Sequence, residues 1–369
     1  MNDRKTKINK KKLAGLIAFT AALVLLIIWL FGGFSGRTKS GAVNASQLPC
    51  TGDENVQMFG QNIVYYDGGN ILCVGPGGDI KWRFSIGIGA EFDAGDEYVA
   101  VWNSNQLYIL DSSGNVTYND AQPEPVQFAV VGKKYVCAAI GENTATTLLI
   151  KDIMGQPVDT ETETYENLLL LDMGFFGDNG QYMWTLSMDI YSTAANTVLN
   201  LFEVSKMNSG EVDLGSDITY DVVYTGSEID VFSTRKMRVY TTKGTENTAA
   251  AQLIYGWKLA DISMDNGAAY LLTSTGEISG SSLRELRVLL NGSDKRFTLP
   301  ENCAGALLRG QYLYAISAGK IFRCPFRGGV FEEYTVTGLK GEITGVLGKT
   351  TDGKAVIRCG NLMYSVPLP

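Results

Sequence analysis

Two patterns of apolar residues divide the chain. Leu13–Gly36 reads LAGLIAFTAALVLLIIWLFGGFSG, 24 residues without a charge. At about 1.5 Å rise per residue, a helix of that length spans roughly 36 Å, against a hydrocarbon core of about 30 Å. A helix satisfies every backbone amide internally, so the run predicts a single transmembrane span over 13–36. From about residue 55 the text changes to short runs rich in aromatic and β-branched residues, punctuated by Gly, Asn and Asp. That is the pattern of strands joined by tight turns. Helical periodicity is nearly absent. Two segments, Ser282–Leu290 and Tyr165–Gly174, fit a short helix or a buried strand equally well.

The strand-like runs recur. QNIVYY (Gln61–Tyr66), DEYVAVW (Asp96–Trp102), KKYVCAAI (Lys133–Ile140), QYMWTLS (Gln181–Ser187), KMRVYTT (Lys236–Thr242), GAAYLLT (Gly267–Thr273), QYLYAIS (Gln311–Ser317) and GKAVIRC (Gly353–Cys359) begin 35, 37, 48, 55, 31, 44 and 42 residues apart. A period of about 40 residues with roughly four strands is that of a β-propeller blade. A lone four-stranded sheet cannot bury both faces, whereas radial stacking does. The fold expected is therefore all-β, a seven- or eight-bladed β-propeller, with eight the better fit. The last unit, Gly341–Pro369, holds three strand-like runs, so Val43–Cys50 is expected to supply a fourth and close the ring. The organisation expected is a basic tail (1–12), a transmembrane helix (13–36), a short tether with the closing strand (37–50) and the propeller (51–369).

Charge sets the expected orientation. Residues 1–39 carry eight Lys/Arg against Asp3 alone, a net +7, so the chain's overall −8 leaves −15 on the rest. Six of those basic residues precede the apolar run, which predicts a cytoplasmic N-terminus and an extracellular C-terminal domain on a cell membrane. A cleaved signal peptide fits less well, because the apolar run exceeds the usual 7–15 residue core. Cys50 is preceded by Ser-Gln-Leu-Pro, which is not a lipidation signal. An acidic domain of this kind is a poor partner for nucleic acid.

Residues 60–120 resemble the repeats of quinoprotein-type (PQQ-like) propellers, whose blades often end in Thr-Gly-Lys-x-x-Trp. Gly78-Asp79-Ile80-Lys81-Trp82 keeps the glycine and the tryptophan four positions on; Gly114-Asn115-Val116-Thr117-Tyr118 replaces the tryptophan with tyrosine. Later units depart: Asp159 follows Gly155 at that spacing, and Leu214 follows Gly210. The whole layout is similar to uncharacterised membrane-anchored propellers of Gram-positive bacteria. The resemblance implies a location and a fold. It implies no cofactor, because the adjacent cysteines of the quinoprotein site and most of the tryptophan positions are absent.

The chemistry legible in the chain is sparse. There is no histidine, which removes the commonest general base, the commonest zinc ligand and every Ser-His or Cys-His pair. Six cysteines (Cys50, Cys73, Cys137, Cys303, Cys324 and Cys359) lie beyond the apolar run with no CxxC spacing, several inside strand-like text, and are expected as buried thiols. Asp93-Ala94-Gly95-Asp96-Glu97 and Gly52-Asp53-Glu54-Asn55 are acidic but lack a calcium-loop arrangement, and are expected as solvated turns. Gly75-Pro76-Gly77-Gly78 lacks the GK[ST] of a phosphate cradle and is expected as a hairpin turn. The pairs Glu332/Glu333 and Glu161/Glu163 are the nearest approach to an acid–base couple.

The aromatics Tyr65, Tyr66, Tyr98, Trp102, Tyr108, Tyr182, Trp184, Tyr191, Tyr312 and Tyr314 lie in or beside strands; most are packing residues, and those at a mouth of the ring offer a recognition surface. No catalytic, metal or cofactor-binding residue stands out. The function expected is non-enzymatic: a membrane-anchored scaffold or recognition module for an envelope protein or wall polymer. The alternative is an enzyme or small-ligand binder of the quinoprotein-like class using the central channel. An assembly factor like the lipoprotein scaffold of outer-membrane insertion fits less well, for want of a lipidation signal.

Overall fold

The computed structural model describes residues 40–143, 145–161, 165, 167–206, 210–275 and 283–369. The span expected over 13–36 lies outside them. Among the described residues every named element is a strand, and no helix is long and apolar enough to cross a membrane.

The strands form antiparallel meanders. β1 (Ser40–Asn44) and β2 (Ser46–Thr51) precede a sheet of β3 (Val56–Phe59), β4 (Asn62–Tyr66), β5 (Asn70–Val74) and β6 (Ile80–Ser85). Then come β7 (Glu91–Ala94), β8 (Tyr98–Asn103), β9 (Gln106–Asp111) and β10 (Val116–Ala121). The third meander is β11 (Val126–Val131), β12 (Tyr135–Glu142), β13 (Ala145–Asp152) and β14 (Pro157–Glu161). The fourth is β15 (Leu169–Phe176), β16 (Tyr182–Asp189), β17 (Asn196–Glu203) and β18 (Gly210–Gly215). The fifth is β19 (Thr219–Tyr224), β20 (Glu228–Ser233), β21 (Lys236–Thr241) and β22 (Gln252–Leu253).

An eight-stranded sheet follows: β23 (Trp257–Ser263), β24 (Ala269–Ser274), β25 (Leu283–Leu290), β26 (Ser293–Arg309), β27 (Tyr312–Ser317), β28 (Lys320–Pro325) and β29 (Glu332–Thr337), with β1 outside β29. The 17-residue β26 is shared: Ser293–Thr298 pairs with β25, and Cys303–Arg309 pairs with β27. The last sheet is β30 (Gly345–Lys349), β31 (Lys354–Cys359) and β32 (Leu362–Pro367), completed by β2, which runs antiparallel to β32.

This is a β-propeller. Apolar clusters join each sheet to the next: Ile71 and Cys73 of β5 pack with Val99 and Leu110, and Leu107 and Ile109 with Val136 and Ala138. The circuit closes where Leu48 and Cys50 of β2 join Val356 and Met363 against Ile63 and Leu72. Fully burying a Leu or Ile side chain contributes about 1.5–3 kcal/mol, so these faces hold the ring together.

The two ambiguous segments are strands. Ser282–Leu290 contains β25, buried over its last residues, and Tyr165–Gly174 runs into β15. One repeat start needs correction. Six of the eight mark the second strand of a sheet and QYLYAIS is β27, which pairs with the second half of β26, but KMRVYTT is β21, a third strand; the second is β20, EIDVFS. Its two acidic residues disguised it. With β20 in its place the eight strands begin at 62, 98, 135, 182, 228, 269, 312 and 354, and the intervals of 55 and 31 disappear.

Successive sheets also interlock through one side chain. Trp82 of β6 donates its indole N–H to Ser112 O at 3.0 Å and lies on Gly114, in the turn between β9 and β10. Tyr118 of β10 lies on Gly155 in the equivalent turn of the next sheet, where a β-carbon would stand 1.9 Å from Tyr118 Cδ2. Asp159 of β14 takes the same post with a charge, accepting Ser205 N–H at 2.9 Å. Val212 of β18 lies on Gly244, and Lys295 of β26 donates to Arg327 O. Between the fifth sheet and β23–β26 the post is empty, because β22 is two residues long.

Candidate functional site

In an antiparallel meander, the turns after the second and fourth strands share one end of the sheet. The loops 190–195, 216–218, 234–235 and 254–256 therefore lie on the same face of the ring, and hydrogen bonds tie the last three, and the strands beside them, together. Thr234 N donates to Ile218 O at 3.0 Å, Ile254 N to Arg235 O at 2.9 Å and Leu259 N to Tyr220 Oη at 3.0 Å.

This face carries apolar side chains that a solvated loop does not need. Ile190, Tyr191 and Ile218 are 48, 64 and 59% exposed, and Leu253 and Tyr255 are 71 and 75% exposed. Tyr220, Tyr255, Trp257 and Leu259 line a cleft of about 560 Å³ with Thr234, Lys258 and Thr275. The Arg296 guanidinium lies over the face of the Trp257 ring, 5.7 Å from its centroid. The backbone bonds fix the loops, so the aromatics stand on a rigid base. A clustered apolar patch on such a base marks an interaction surface.

The structure sorts the aromatics named from sequence. Tyr65, Trp102 and Tyr314 are buried packing residues; Tyr191 is on the apolar face; Tyr312 is partly exposed beside the Arg323 guanidinium, 4.8 Å away. Tyr220 and Tyr255 were missed. Each sits where a loop meets a strand, and the signal available for Tyr255 was the apolar run Leu253-Ile254-Tyr255-Gly256-Trp257, broken only by Gly256.

The channel wall is built from first strands: β3 contacts β7, β7 contacts β11, β11 contacts β15, and β26 contacts β30. Polar side chains staple these strands. Gln57 donates to Phe92 O at 3.1 Å and accepts from Ala94 N at 2.8 Å. Asp93 is on β7 rather than in a solvated turn; its carboxylate accepts Val131 N–H at 3.0 Å. Burial pushes the Asp93 carboxyl up to about 6, and the nearby Asp172 adds to the rise. Asp261 accepts Leu308 N–H at 2.6 Å and pairs with Lys349 Nζ at 2.5 Å. Asp172 and Asp221 are raised too, first by desolvation, and Asp172 raises Asp221 further. Asp172 is exposed on β15, a first strand.

The other sequence candidates disperse. Glu332 pairs with Arg323 and Glu333 with Lys320, so the two carboxylates point to different partners. Glu163 and the Glu161 side chain lie outside the described residues. Gly75–Gly78 is the turn between β5 and β6, with Gly78 N donating to Gly75 O at 2.9 Å. All six cysteines are buried; burial pushes Cys50, Cys73 and Cys303 up to about 12, which makes them inert at neutral pH.

No protein-family profile and no curated protein sequence matches the chain. Solved structures do. The WD40 domain of SCAP from fission yeast superposes with a TM-score of 0.58 and 8% identity, covering 88% of this chain and 98% of that one. Sqt1 from Chaetomium thermophilum, bound to the N-terminus of the ribosomal protein L10, gives 0.51 and 10%, covering 91% and 98%. BamB from Moraxella catarrhalis gives 0.51 and 11%, covering 88% and 96%. BamB is a PQQ-like propeller and SCAP contributes a WD40 one, so the likeness spans both repeat types. At these identities it shows the fold alone, a β-propeller.

Proposed function

We propose that the chain is a single-pass, membrane-anchored propeller of eight blades that recognises another envelope protein or a wall polymer on its extracytoplasmic side. The blade count follows from dividing the eight-stranded sheet at β26, which pairs with two different partners along its length. The anchor rests on the uncharged run Leu13–Gly36 and the basic tail before it. The observation that carries recognition is the apolar face with Tyr220, Leu253 and Tyr255 on hydrogen-bonded loops and strands and Tyr191 on a loop at the same end. The fold is compatible with that role, as Sqt1 with a bound peptide segment illustrates.

The test is site-specific photocrosslinking in the native membrane. A crosslinker in place of Tyr255 or Tyr191 is expected to trap one defined partner, and the same group in place of Met154, exposed at the other end of the sheets, is not. Equal trapping from 154 and 255 would rule out the assigned face. Capture of glycan strands rather than protein decides between the two partner classes.

A second reading uses the channel. Asp172 and Asp221 face no basic partner among their own hydrogen bonds, so a small cationic ligand in the channel is the natural alternative. Binding lost in Asp172→Asn/Asp221→Asn but kept in Tyr255→Ser would favour it.

A further inference from the structure

At the interface where β22 is too short to reach the next sheet, a cavity of about 260 Å³ replaces the docking side chain found elsewhere. Ala249 and Ala250 stand beside it, and the turn Asn291–Gly292–Ser293 forms its far wall. The floor is Asp230 of β20, 5% exposed. Its Oδ2 accepts a hydrogen bond from Tyr270 Oη of β24, while its Oδ1 is buried and has no partner. Glu228, two residues earlier on the same strand, lines the same space. No Lys or Arg lines it, and Met237, Val239 and Leu289 give it apolar sides.

A buried carboxylate oxygen without a donor is costly, by about 1–3 kcal/mol or more for a charged group. The geometry points to a binding site for a primary ammonium group on a short apolar stem, held by the Asp230 carboxylate with Glu228, which also accepts from Asn247 Nδ2 at 3.3 Å, as the second acceptor. Burial and then Glu228 set the Asp230 carboxyl at about 6 against the lowering bond from Tyr270, so it is charged at pH 7.5. A divalent ion fits less well. Calcium takes 6–8 oxygens, and among the described residues no group of three or more His, Cys, Asp or Glu could hold a metal. The cavity opens at the turns after the first and third strands, the end opposite the apolar face, so it stands independently of the recognition surface.

The full-length chain in neutral detergent, titrated calorimetrically at pH 7.5 with n-butylammonium chloride and with 1-butanol, tests the site. Butylammonium is expected to bind one to one, at least tenfold more tightly than butanol. Asp230→Asn, which keeps an acceptor for Tyr270, is expected to weaken butylammonium at least tenfold and leave butanol unchanged. Ala250→Trp, which restores a docking ring from outside the carboxylate pair, is expected to abolish both without lowering the melting temperature. If Asp230→Asn fails to fold, the Ala250→Trp result decides. Equal binding of the two probes, wild-type affinity in either folded variant, no binding at all, or tighter binding of calcium chloride than of butylammonium would each overturn the assignment.

Discussion

At the residue scale, the acidic side chains of the first strands act on stability in opposite directions. The Asp93 carboxyl is raised to about 6 in the folded ring, above the unfolded value of about 3.9. The sign follows: below pH 4 both states are protonated and the group contributes nothing. As pH rises to 6 the unfolded state ionises first, so the ring loses stability, and above 6 the loss is constant. The full shift corresponds to roughly 2–3 kcal/mol. Asp93→Asn keeps an acceptor for Val131 N–H and is expected to be more stable than wild type, relative to its standing at pH 4.5, by about 1–3 kcal/mol at pH 7.5. Urea titrations at the two pH values check this; an identical difference at both would show that Asp93 is not the titrating group. Lys349→Met works the other way. It strips the ammonium from Asp261, which is 14% exposed and still holds Leu308 N–H, and is expected to cost about 2–4 kcal/mol in the same titration. Neither residue was legible as a site. Asp93 reads as turn text because Gly95 and Asp96 follow it, and the Asp230–Tyr270 contact joins residues 40 positions apart on separate sheets. Such pairings depend on which sheet lies beside which, and alternation along one strand does not carry that.

At the scale of the element, strands and turns were readable because each declares itself locally. Val99, Ala100, Val101 and Trp102 of β8 are buried in one unbroken run, as expected of a strand covered on both faces. Asp111 and Asp152 each cap the turn that follows by accepting two backbone N–H groups. What failed was counting within a repeat: β20 was passed over since Glu228 and Asp230 break its apolar run. Trp82 and Tyr118, which carry the quinoprotein-type resemblance, dock on the turn of the next sheet, and Asp159, Val212 and Lys295 fill the equivalent posts with other chemistry. Gly155 measures how tight that docking is. Its φ is +84°, and a β-carbon there meets the Tyr118 ring. Gly155→Ala is expected to cost about 2–4 kcal/mol, the left-handed backbone supplying 1–2 of it and the clash the rest. In a Tyr118→Ala background the same substitution is expected to cost only the backbone part. A double-mutant cycle by chemical denaturation reads the coupling; additive costs would mean that ring and glycine do not press on each other.

For the whole molecule, the question is what makes a row of sheets into a ring. The N-terminal strands cross the seam twice. β1 extends the long sheet outside β29, with Ala45 N donating to Thr337 O at 2.8 Å, and β2 completes the last sheet against β32. In β2 the buried Leu48 and Cys50 alternate with exposed Gln47 and Pro49, the period-2 pattern of a strand covered on one face. The two strands are not equal. Gly41, Ala42 and Asn44 bring little apolar area to the seam, and β1 is mostly exposed. Leu48 and Cys50 instead lie in the cluster that joins the last sheet to the first, against Ile63, Leu72, Val356 and Met363. Removing residues 1–45 should therefore cost about 1–2 kcal/mol in lost edge bonds. Removing 1–51 takes away Leu48 and Cys50 as well as the small Ala45 and leaves β32 as a bare edge at the seam, a loss of more than about 4 kcal/mol. Thermal unfolding of the two truncations against a 1–39 deletion is the measurement. If the 1–51 truncation melts with the 1–45 truncation, the contacts across the seam do not hold the ring closed, and its stability comes from the sheets taken one by one.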